Sequence, residues 1–151
     1  MVSMNCKVAI VYSSVTGNTE EVATLIHSII GGELFPINQF PLSDLATYDA
    51  VLIGTYTWGS GEVPSEMISL YEAFEKQNVE HVITGVFGTG DSFYPHFCGA
   101  VDLFRDMLCV HTNLAVTLKI EQRHQRGDLL KCKQFTERII ARLKPIGIYK
   151  G

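Results

Sequence analysis

The chain has 151 residues, of which 46% are hydrophobic and 19% charged, and its formal net charge is −4. This length predicts one domain over residues 1–151, and no segment reaches the ~20 apolar residues that a membrane-spanning helix requires. Residues 1–110 carry 3 basic and 13 acidic side chains, a balance of −10, whereas residues 111–151 carry 9 basic and 3 acidic, a balance of +6. The acidic segment should repel nucleic acid and favour a basic protein partner; the alternative is a solvated acidic face with no partner.

The N-terminus leads directly into the first predicted strand, so we expect no signal peptide and a cytoplasmic location. The cysteines have neither C-x-x-C nor metal-ligand spacing: Cys6, Cys98, Cys109 and Cys132. We expect no metal site, and we expect most of these thiols to be small apolar fillers that stay reduced.

The first strand is predicted over the apolar run Val8–Tyr12, which is typical of a strand buried on both faces of a parallel sheet. A helix follows, with apolar residues at three- and four-residue steps: Val22, Leu25, Ile26 and Ile29. The turn between them is made of hydroxyl residues, one glycine and one asparagine. Gly17 allows an unusual backbone conformation, and the N–H groups of the first helical turn attract anions. The hydroxyls of Ser14, Thr16 and Thr19 are further donors.

This turn lacks the features of two common phosphate-binding motifs. It contains no lysine or arginine from Ser13 to Thr19, and neither G-x-x-x-x-G-K-[ST] nor G-x-G-x-x-G is present. A bound phosphate would therefore be held by neutral donors. The alternative is an ordinary strand-to-helix turn that is capped by asparagine or threonine.

The remaining elements alternate between strands and helices. Gly31-Gly32 ends the first helix, and the second strand is predicted over Glu33–Ile37, with Pro36 favouring a sheet edge. One helical turn is predicted around Asp44–Ala46, before a third strand over Ala50–Thr55. Pro64 can begin the next helix, whose apolar residues are Met67, Leu70, Tyr71 and Phe74.

The second half continues this alternation. The fourth strand is predicted over Val82–Gly88, and the next helix carries Val101, Phe104 and Leu108. Leu114–Ile120 forms the fifth strand, followed by a charged turn, Glu121–Asp128. The last helix carries Phe135, Ile139 and Leu143. Such alternation predicts a doubly wound five-stranded parallel sheet with helices on both faces and strand order 2-1-3-4-5.

In this topology ligands bind beyond the carboxyl ends of the strands, where the loops after strands one, three and four meet. The loop Tyr56–Glu62 contains the only tryptophan, Trp58, beside two glycines, and the loop Thr89–Tyr94 contains Tyr94. Two aromatic side chains above an anion-binding turn indicate a slot for a flat heteroaromatic ring with a phosphate tail.

These motifs resemble the flavodoxin family from the first strand to the last helix. Three segments carry the resemblance: Ile10-Val11-Tyr12-x-Ser14-x-x-Gly17-x-Thr19-x-x-x-Ala23-x-x-Ile26, Thr57-Trp58-Gly59-x-Gly61-Glu62 and Gly88-x-Gly90-Asp91-x-x-Tyr94-x-x-Phe97-Cys98-Gly99-Ala100. The uninterrupted fifth strand is similar to that of the short-chain bacterial members. The resemblance implies a flavodoxin-like fold and non-covalently bound FMN.

The resemblance also implies which residues bind FMN. The phosphate would be bound by the first turn: Ser14, Val15, Thr16, Gly17, Asn18 and Thr19. Tyr56 and Thr57 lie along the ribityl chain, Trp58 covers the inner face of the ring and Tyr94 the outer face. The loop Thr89-Gly90-Asp91 and the backbone of Asp91, His96 and Cys98 meet the pyrimidine end. The Gly59-Ser60 peptide turns over to accept a hydrogen bond from the flavin.

The function implied is that of a monomeric, low-potential one-electron carrier, in which FMN cycles mainly between semiquinone and hydroquinone. A flavodoxin/ferredoxin-NADP reductase would supply electrons, and acceptors would be redox enzymes such as a reductase, an oxygenase or a ribonucleotide reductase activator. The carboxylates of Asp91 and Glu62 would disfavour the anionic reduced ring. A like charge ~8 Å away at a dielectric of about 20 costs roughly 2 kcal/mol, which lowers a one-electron reduction potential by roughly 90 mV. Ser60 stands where many members have aspartate or another polar residue, which suggests a slightly less negative potential.

Two other functional classes are found on this type of fold. An FMN-dependent NAD(P)H oxidoreductase on the same fold needs an open flavin face, against which Tyr94 argues. A phospho-accepting receiver needs a carboxylate cluster after strand one and an aspartate at the end of strand three, but Ser13, Ser14 and Thr55 occupy those positions. No nucleophile–base pair is evident in the loops, so we expect no catalytic residues. The loops also fit a general carrier better than a ribonucleotide reductase activator.

Overall fold

The computed structural model describes residues 3–121, 128–146 and 149–150. Its main sheet has five parallel strands: β2 (Val8–Tyr12), β3 (Glu33–Pro36), β4 (Ala50–Tyr56), β5 (Ile83–Gly90) and β6 (Asn113–Glu121). The order across the sheet is β3-β2-β4-β5-β6, which confirms the predicted order 2-1-3-4-5. Two further short strands, β1 (Ser3–Met4) and β7 (Tyr149–Lys150), form a separate antiparallel pair.

Four helices cover the two faces of this sheet: α1 (Asn18–Ile30), α2 (Ile68–Lys76), α3 (Gly99–His111) and α4 (Asp128–Leu143). On one face, Phe74 of α2 and Phe104 of α3 belong to the same buried cluster as the sheet. On the other, Ile26 of α1 and Phe135 of α4 do so. Because β2 is buried along its whole length, its continuous apolar run is explained by contact with both layers.

Most predicted elements are confirmed, with shifts of one or two residues at the strand ends. β4 continues to Tyr56 and β5 to Gly90, because Tyr56 pairs with Thr89 and Gly90 with Glu121 in neighbouring strands. β5 begins at Ile83 rather than Val82, whose N–H donates to Val79 in a preceding turn. Such boundaries depend on pairing between strands, which local composition does not contain.

Two helical predictions need a small correction. The helix after Pro64 begins as a 3₁₀ turn, Ser65–Met67, before α2 starts at Ile68, so Pro64 precedes the helix instead of occupying its first position. The single turn around Asp44 extends over Leu42–Thr47 as 3₁₀ helix. Pro36 does lie in an edge strand, because β3 pairs only with β2 in the described sheet.

The cysteines divide into two groups. Cys98 and Cys132 are buried, as expected of apolar fillers, whereas Cys6 is half-buried and Cys109 is exposed; all four are free thiols. The middle of the charged turn predicted over Glu121–Asp128 lies outside the described residues; Glu121 ends β6 and Asp128 begins α4. None of the described helices is both long and apolar enough to cross a bilayer.

Candidate functional site

A cleft opens at the carboxyl ends of the strands, where the loops after β2, β4 and β5 meet. Its volume is about 820 Å³, within the range of small-molecule and cofactor sites. The first loop contributes Ser14, Val15, Thr16 and Thr19, and the second contributes Tyr56, Thr57, Gly59 and Ser60. The third contributes Thr89, Gly90, Asp91, Tyr94, Pro95, His96, Phe97 and Cys98. The three loops with unusual composition therefore do converge on one crevice.

Three of the residues predicted for the site do not line this cleft. Gly17 and Asn18 lie in the same turn as residues that do, whereas Trp58 lies on the second loop with its side chain 60% exposed. Conversely, Pro95 and Phe97 line the cleft although neither was predicted to bind the cofactor; Phe97 was identified only as a member of the third family motif. The sequence did contain a signal for both residues, because they lie between the predicted site residues Tyr94 and Cys98. Residues between two cleft-lining positions of a short loop are expected to lie near the same cleft.

The first turn has the geometry of an anion-binding strand-to-helix junction. Gly17 has φ +91°, the left-handed region that glycine favours, and directly precedes α1. Its N–H donates to Ser14 Oγ over 3.1 Å, and the first helical bond runs from Glu21 N–H to the Gly17 carbonyl over 3.0 Å. The earlier N–H groups of α1 have no acceptor within the helix, so they are available to a ligand. The N-cap position of α1 is occupied by Gly17, and not by an asparagine or threonine as in an ordinary capped turn.

The second loop closes as a tight turn after β4. Trp58 N–H donates to the Glu62 carbonyl over 2.8 Å, and Glu62 N–H donates back to the Trp58 carbonyl over 2.7 Å. Gly59 and Gly61 both have positive φ, +54° and +109°. A Cβ on Gly61 would lie 2.8 Å from the Cβ of His96, so this loop needs glycine to pass the third loop closely.

The third loop is held by carboxylates. Asp91 Oδ1 accepts the N–H of Phe93 over 2.9 Å, and the Asp91 carbonyl accepts the N–H of Tyr94 over 3.1 Å. Glu121, at the end of β6, accepts the N–H of Ser92 with both oxygens, over 3.2 and 3.1 Å. Tyr94 is 70% exposed at the mouth of the cleft. The backbone of this loop is fixed while its aromatic side chain extends outward.

Hydroxyl groups join the loops to one another. Thr19 and Thr89, both buried, share a hydrogen bond of 2.9 Å between their hydroxyls, which connects α1 to the end of β5. Thr57 Oγ1 accepts the N–H of Ala100 over 3.2 Å, which connects the second loop to the first turn of α3. The cleft is therefore braced from two sides by side chains that also line it.

Cys98, which precedes α3, is the one described non-glycine residue with positive φ, at +51°. Such strained conformations cluster at binding and catalytic sites. Its buried thiol donates to the Gly88 carbonyl over 3.7 Å, and burial raises the pKa of the Cys98 thiol to about 12. The group is therefore a neutral thiol near neutral pH rather than a nucleophilic thiolate.

A second hydroxyl cluster lies beside the cleft. Glu66 Oε2 accepts the hydroxyls of Ser13, over 2.8 Å, and of Tyr56, over 2.7 Å. Burial and the contact with the carboxylate raise the pKa of Tyr56 to about 12. Burial works to raise the pKa of Glu66, but hydrogen bonds from Tyr56, from its own N–H and from Ser13 outweigh burial and lower it. Glu66 is ionised near neutral pH and the phenol keeps its proton.

The donor set fits a phosphorylated heteroaromatic ligand. None of the described lining residues is lysine or arginine, so an anion would be held by hydroxyls, backbone N–H groups and the dipole of α1. Tyr94, Pro95 and Phe97 supply apolar surface for a flat ring. In the part of the chain that the structure describes, no group of three His, Cys, Asp or Glu is placed to hold a metal ion.

Several known proteins are similar to this chain over most of its length. A family model described as flavodoxin matches residues 10–132. The chain is 38% identical to a protein named "Probable flavodoxin 1" from Bacillus subtilis over 89% of this chain and 90% of that one. It is 39% identical to a flavodoxin from Maridesulfovibrio salexigens over 82% and 92% of the two chains. The crystal structure of oxidised flavodoxin 1 from Bacillus cereus matches with a TM-score of 0.81 and 32% identity, over 89% of this chain and 97% of that one.

The chain belongs to the flavodoxin family. This is a family of FMN-binding proteins that transfer electrons and are not enzymes. The resemblance that the sequence motifs indicated is thereby confirmed, together with the fold, the cofactor and the electron-transfer class. The cleft at the carboxyl ends of the strands has a volume and a lining that suit a cofactor of this kind.

Proposed function

We propose that this cleft binds FMN non-covalently, and that the chain acts as a single-domain, low-potential one-electron carrier. The observation that carries the proposal is the convergence of the hydroxyl-rich turn and the two aromatic loops on one cleft of about 820 Å³. The hydroxyl turn suits a phosphate, and the aromatic loops suit a tricyclic ring. Bound FMN supplies the redox chemistry by taking up and releasing electrons one at a time.

The phosphate end of the site is the turn before α1. Ser14, Thr16 and Thr19 offer hydroxyls at the cleft wall, and the N–H groups that begin α1 point to the same end. Gly17 gives the turn its left-handed bend, and Val15 and Asn18 contribute backbone N–H groups. Because these donors are neutral, the phosphate charge stays largely uncompensated.

The ring end is formed by the second and third loops. Tyr94, Asp91, His96 and Cys98 line the cleft. We propose that Tyr94 covers the outer face of the ring and that the backbone groups of the other three bind its polar edge. Tyr56 and Thr57 lie between the two ends. Trp58 is exposed beside Gly59, and we propose that its ring covers the inner face when FMN is bound. Gly59 has the freedom that a turnover of the Gly59-Ser60 peptide needs.

The carboxylates around the cleft make full reduction of the flavin less favourable. Asp91 lines the cleft, and the carboxylate of Glu121 accepts a hydrogen bond from the backbone of the third loop. Glu62 carries a further carboxylate on the second loop, which its backbone closes. Their negative charge, added to that of the phosphate, disfavours further negative charge on the ring. The fully reduced cofactor is therefore a strong one-electron donor.

We propose that redox partners dock at the mouth of the cleft. Val15, Trp58 and Tyr94 expose apolar surface there, and Glu62 and Asp91 lie on the same loops. Such a surface suits partners with a basic rim, such as a flavodoxin/ferredoxin-NADP reductase as donor and redox enzymes as acceptors. A monomeric state and a cytoplasmic location complete the proposal and rest on the sequence alone.

Reconstitution tests this proposal. The protein is incubated with FMN, freed of excess cofactor and mixed with NADPH, first alone and then with a flavoprotein reductase and a one-electron acceptor. We expect electron flow to the acceptor only when the reductase is present. Steady-state oxidation of NADPH by the protein and FMN alone would instead favour an NAD(P)H oxidoreductase.

A further inference from the structure

One carboxylate oxygen connects the two halves of the cleft. Glu66 lies on the 3₁₀ turn Ser65–Met67, and its Oε2 accepts hydroxyl hydrogen bonds from Ser13 over 2.8 Å and from Tyr56 over 2.7 Å. The two donors come from different strands. Ser13 directly follows β2, and Tyr56 is the last residue of β4. Glu66 itself does not line the cleft.

The two donors lie directly before the two segments that are proposed to bind the ligand. Ser13 is the residue before Ser14, where the anion-binding turn begins, and Tyr56 is the residue before Thr57, where the ring-binding loop begins. β2 and β4 are neighbours in the sheet, and the sheet order reverses between them, so the two loops diverge from this point. Ser13 N–H also donates to the Gly54 carbonyl over 3.0 Å, which continues the backbone pairing up to the contact.

We propose that Glu66 is a positioning residue, which holds the anion-binding turn and the ring-binding loop at the separation that one FMN molecule requires. This inference rests on the proposed function. A ligand with two ends gains affinity when its two half-sites are already at the right distance, because the second contact is then intramolecular. Glu66 supplies that restraint without touching the ligand.

The contact is strong enough to act as such a restraint. The acceptor is ionised, and hydrogen bonds to charged groups stabilise more than those between neutral groups. The Ser13 side chain is buried, so its hydroxyl would lose its acceptor if the carboxylate were removed. An amide at position 66 would keep an acceptor oxygen for both hydroxyls.

The test compares two ligands that differ only in the phosphate, FMN and riboflavin, on the full-length protein freed of its cofactor. Affinities are measured by quenching of flavin fluorescence for the wild type and for Glu66→Ala, Glu66→Gln and Glu80→Gln. Glu80 is an exposed carboxylate just before β5, at the amino ends of the strands and so away from the cleft at their carboxyl ends. Glu80→Gln makes the same change in net charge as Glu66→Gln. A Ser13→Ala/Tyr56→Phe double variant removes the same two hydrogen bonds while leaving Glu66 in place.

We expect Glu66→Ala to weaken FMN binding about tenfold and riboflavin binding less than about threefold, because riboflavin engages only the ring end. Glu66→Gln and Glu80→Gln should stay within about threefold of the wild type for both ligands, and the double variant should follow Glu66→Ala. Equal losses for FMN and riboflavin would indicate general loosening and would overturn the positioning role, as would FMN affinity in Glu66→Ala equal to that in Glu80→Gln. A wild type that bound no FMN would overturn the proposed function itself.

Discussion

The two ends of the cleft are built in different ways. At the phosphate end, the fold satisfies the polar side chains internally, as in the buried pair of Thr19 and Thr89 with 2.9 Å between their hydroxyls. At the ring end, the backbone is fixed but the aromatic side chains extend outward, with Trp58 60% and Tyr94 70% exposed. The side chains at the phosphate end are therefore ordered by hydrogen bonds within the protein, whereas the aromatic side chains at the ring end extend into solvent.

The largest expected effect follows from the phosphate end. FMN should bind at least about a hundredfold more tightly than riboflavin, because a phosphate at the start of α1 receives several charge-assisted hydrogen bonds of roughly 1.5–3 kcal/mol each. Calorimetric titration of the cofactor-free protein with each flavin measures the ratio. Equal affinities would show that the turn before α1 binds no phosphate.

The next effect belongs to the ring end. Tyr94→Ala should weaken the binding of FMN and of riboflavin alike, by roughly tenfold to a hundredfold, because stacking of one ring on an aromatic side chain contributes roughly 1–3 kcal/mol. The loss should be greatest for oxidised FMN.

Phe93→Ala is the matched control, since Phe93 is 91% exposed on the same loop but does not line the cleft. Its flavin affinities should stay within about twofold of the wild type. Comparable losses in both variants would remove Tyr94 from the binding site.

A change in the buried threonine pair should alter stability before any ligand is added. Thr19→Val leaves the Thr89 hydroxyl buried without its partner, so the free energy of unfolding of the cofactor-free protein should fall by about 1–3 kcal/mol. Urea denaturation followed by circular dichroism measures it. Thr19→Ser keeps the hydroxyl, so its free energy of unfolding should fall by less. Equal stability of Thr19→Val and the wild type would contradict a stabilising role for this hydrogen bond.

The smallest effect is a pH dependence at Glu66, which connects the two ends. Its pKa is lowered in the folded protein by the hydroxyls of Tyr56 and Ser13 and by its own N–H, against the opposing effect of burial. A lowered carboxyl pKa contributes stability above the ordinary value of about 4.3, and that stability is lost as pH falls through the folded value. The Tm of the wild type should exceed that of Glu66→Gln by at most about 2 °C at pH 7, and the difference should vanish in acid. A difference that grows on acidification would contradict this sign.

Much of the fold could be predicted from local patterns. The run Val8–Tyr12 and the left-handed glycine at position 17 were identifiable because burial on both faces and a positive φ each restrict the choice of residues. The contacts between loops were not identifiable in this way. Thr57 and Ala100 are 43 residues apart in the chain, and Ser13 and Glu66 are 53 apart. Their pairing depends on the three-dimensional arrangement of strand ends, which leaves no local mark in the sequence.

The orientation of the aromatic side chains also could not be predicted from the sequence. Trp58 and Tyr94 have similar settings among small residues, yet Tyr94 lines the cleft and Trp58 does not. Each was predicted to cover one face of the ring, because local sequence indicates which loops meet but not where each exposed side chain lies. The roles of both residues in binding FMN stay predictions.

The one-electron role is tested most directly by an absorption spectrum of the protein with FMN, followed by anaerobic reductive titration. We expect a yellow one-to-one complex that passes through a blue, neutral one-electron-reduced form before full reduction. A protein that retains no flavin, or a titration that passes from oxidised to fully reduced flavin in a single step, would contradict a one-electron carrier built on this cleft.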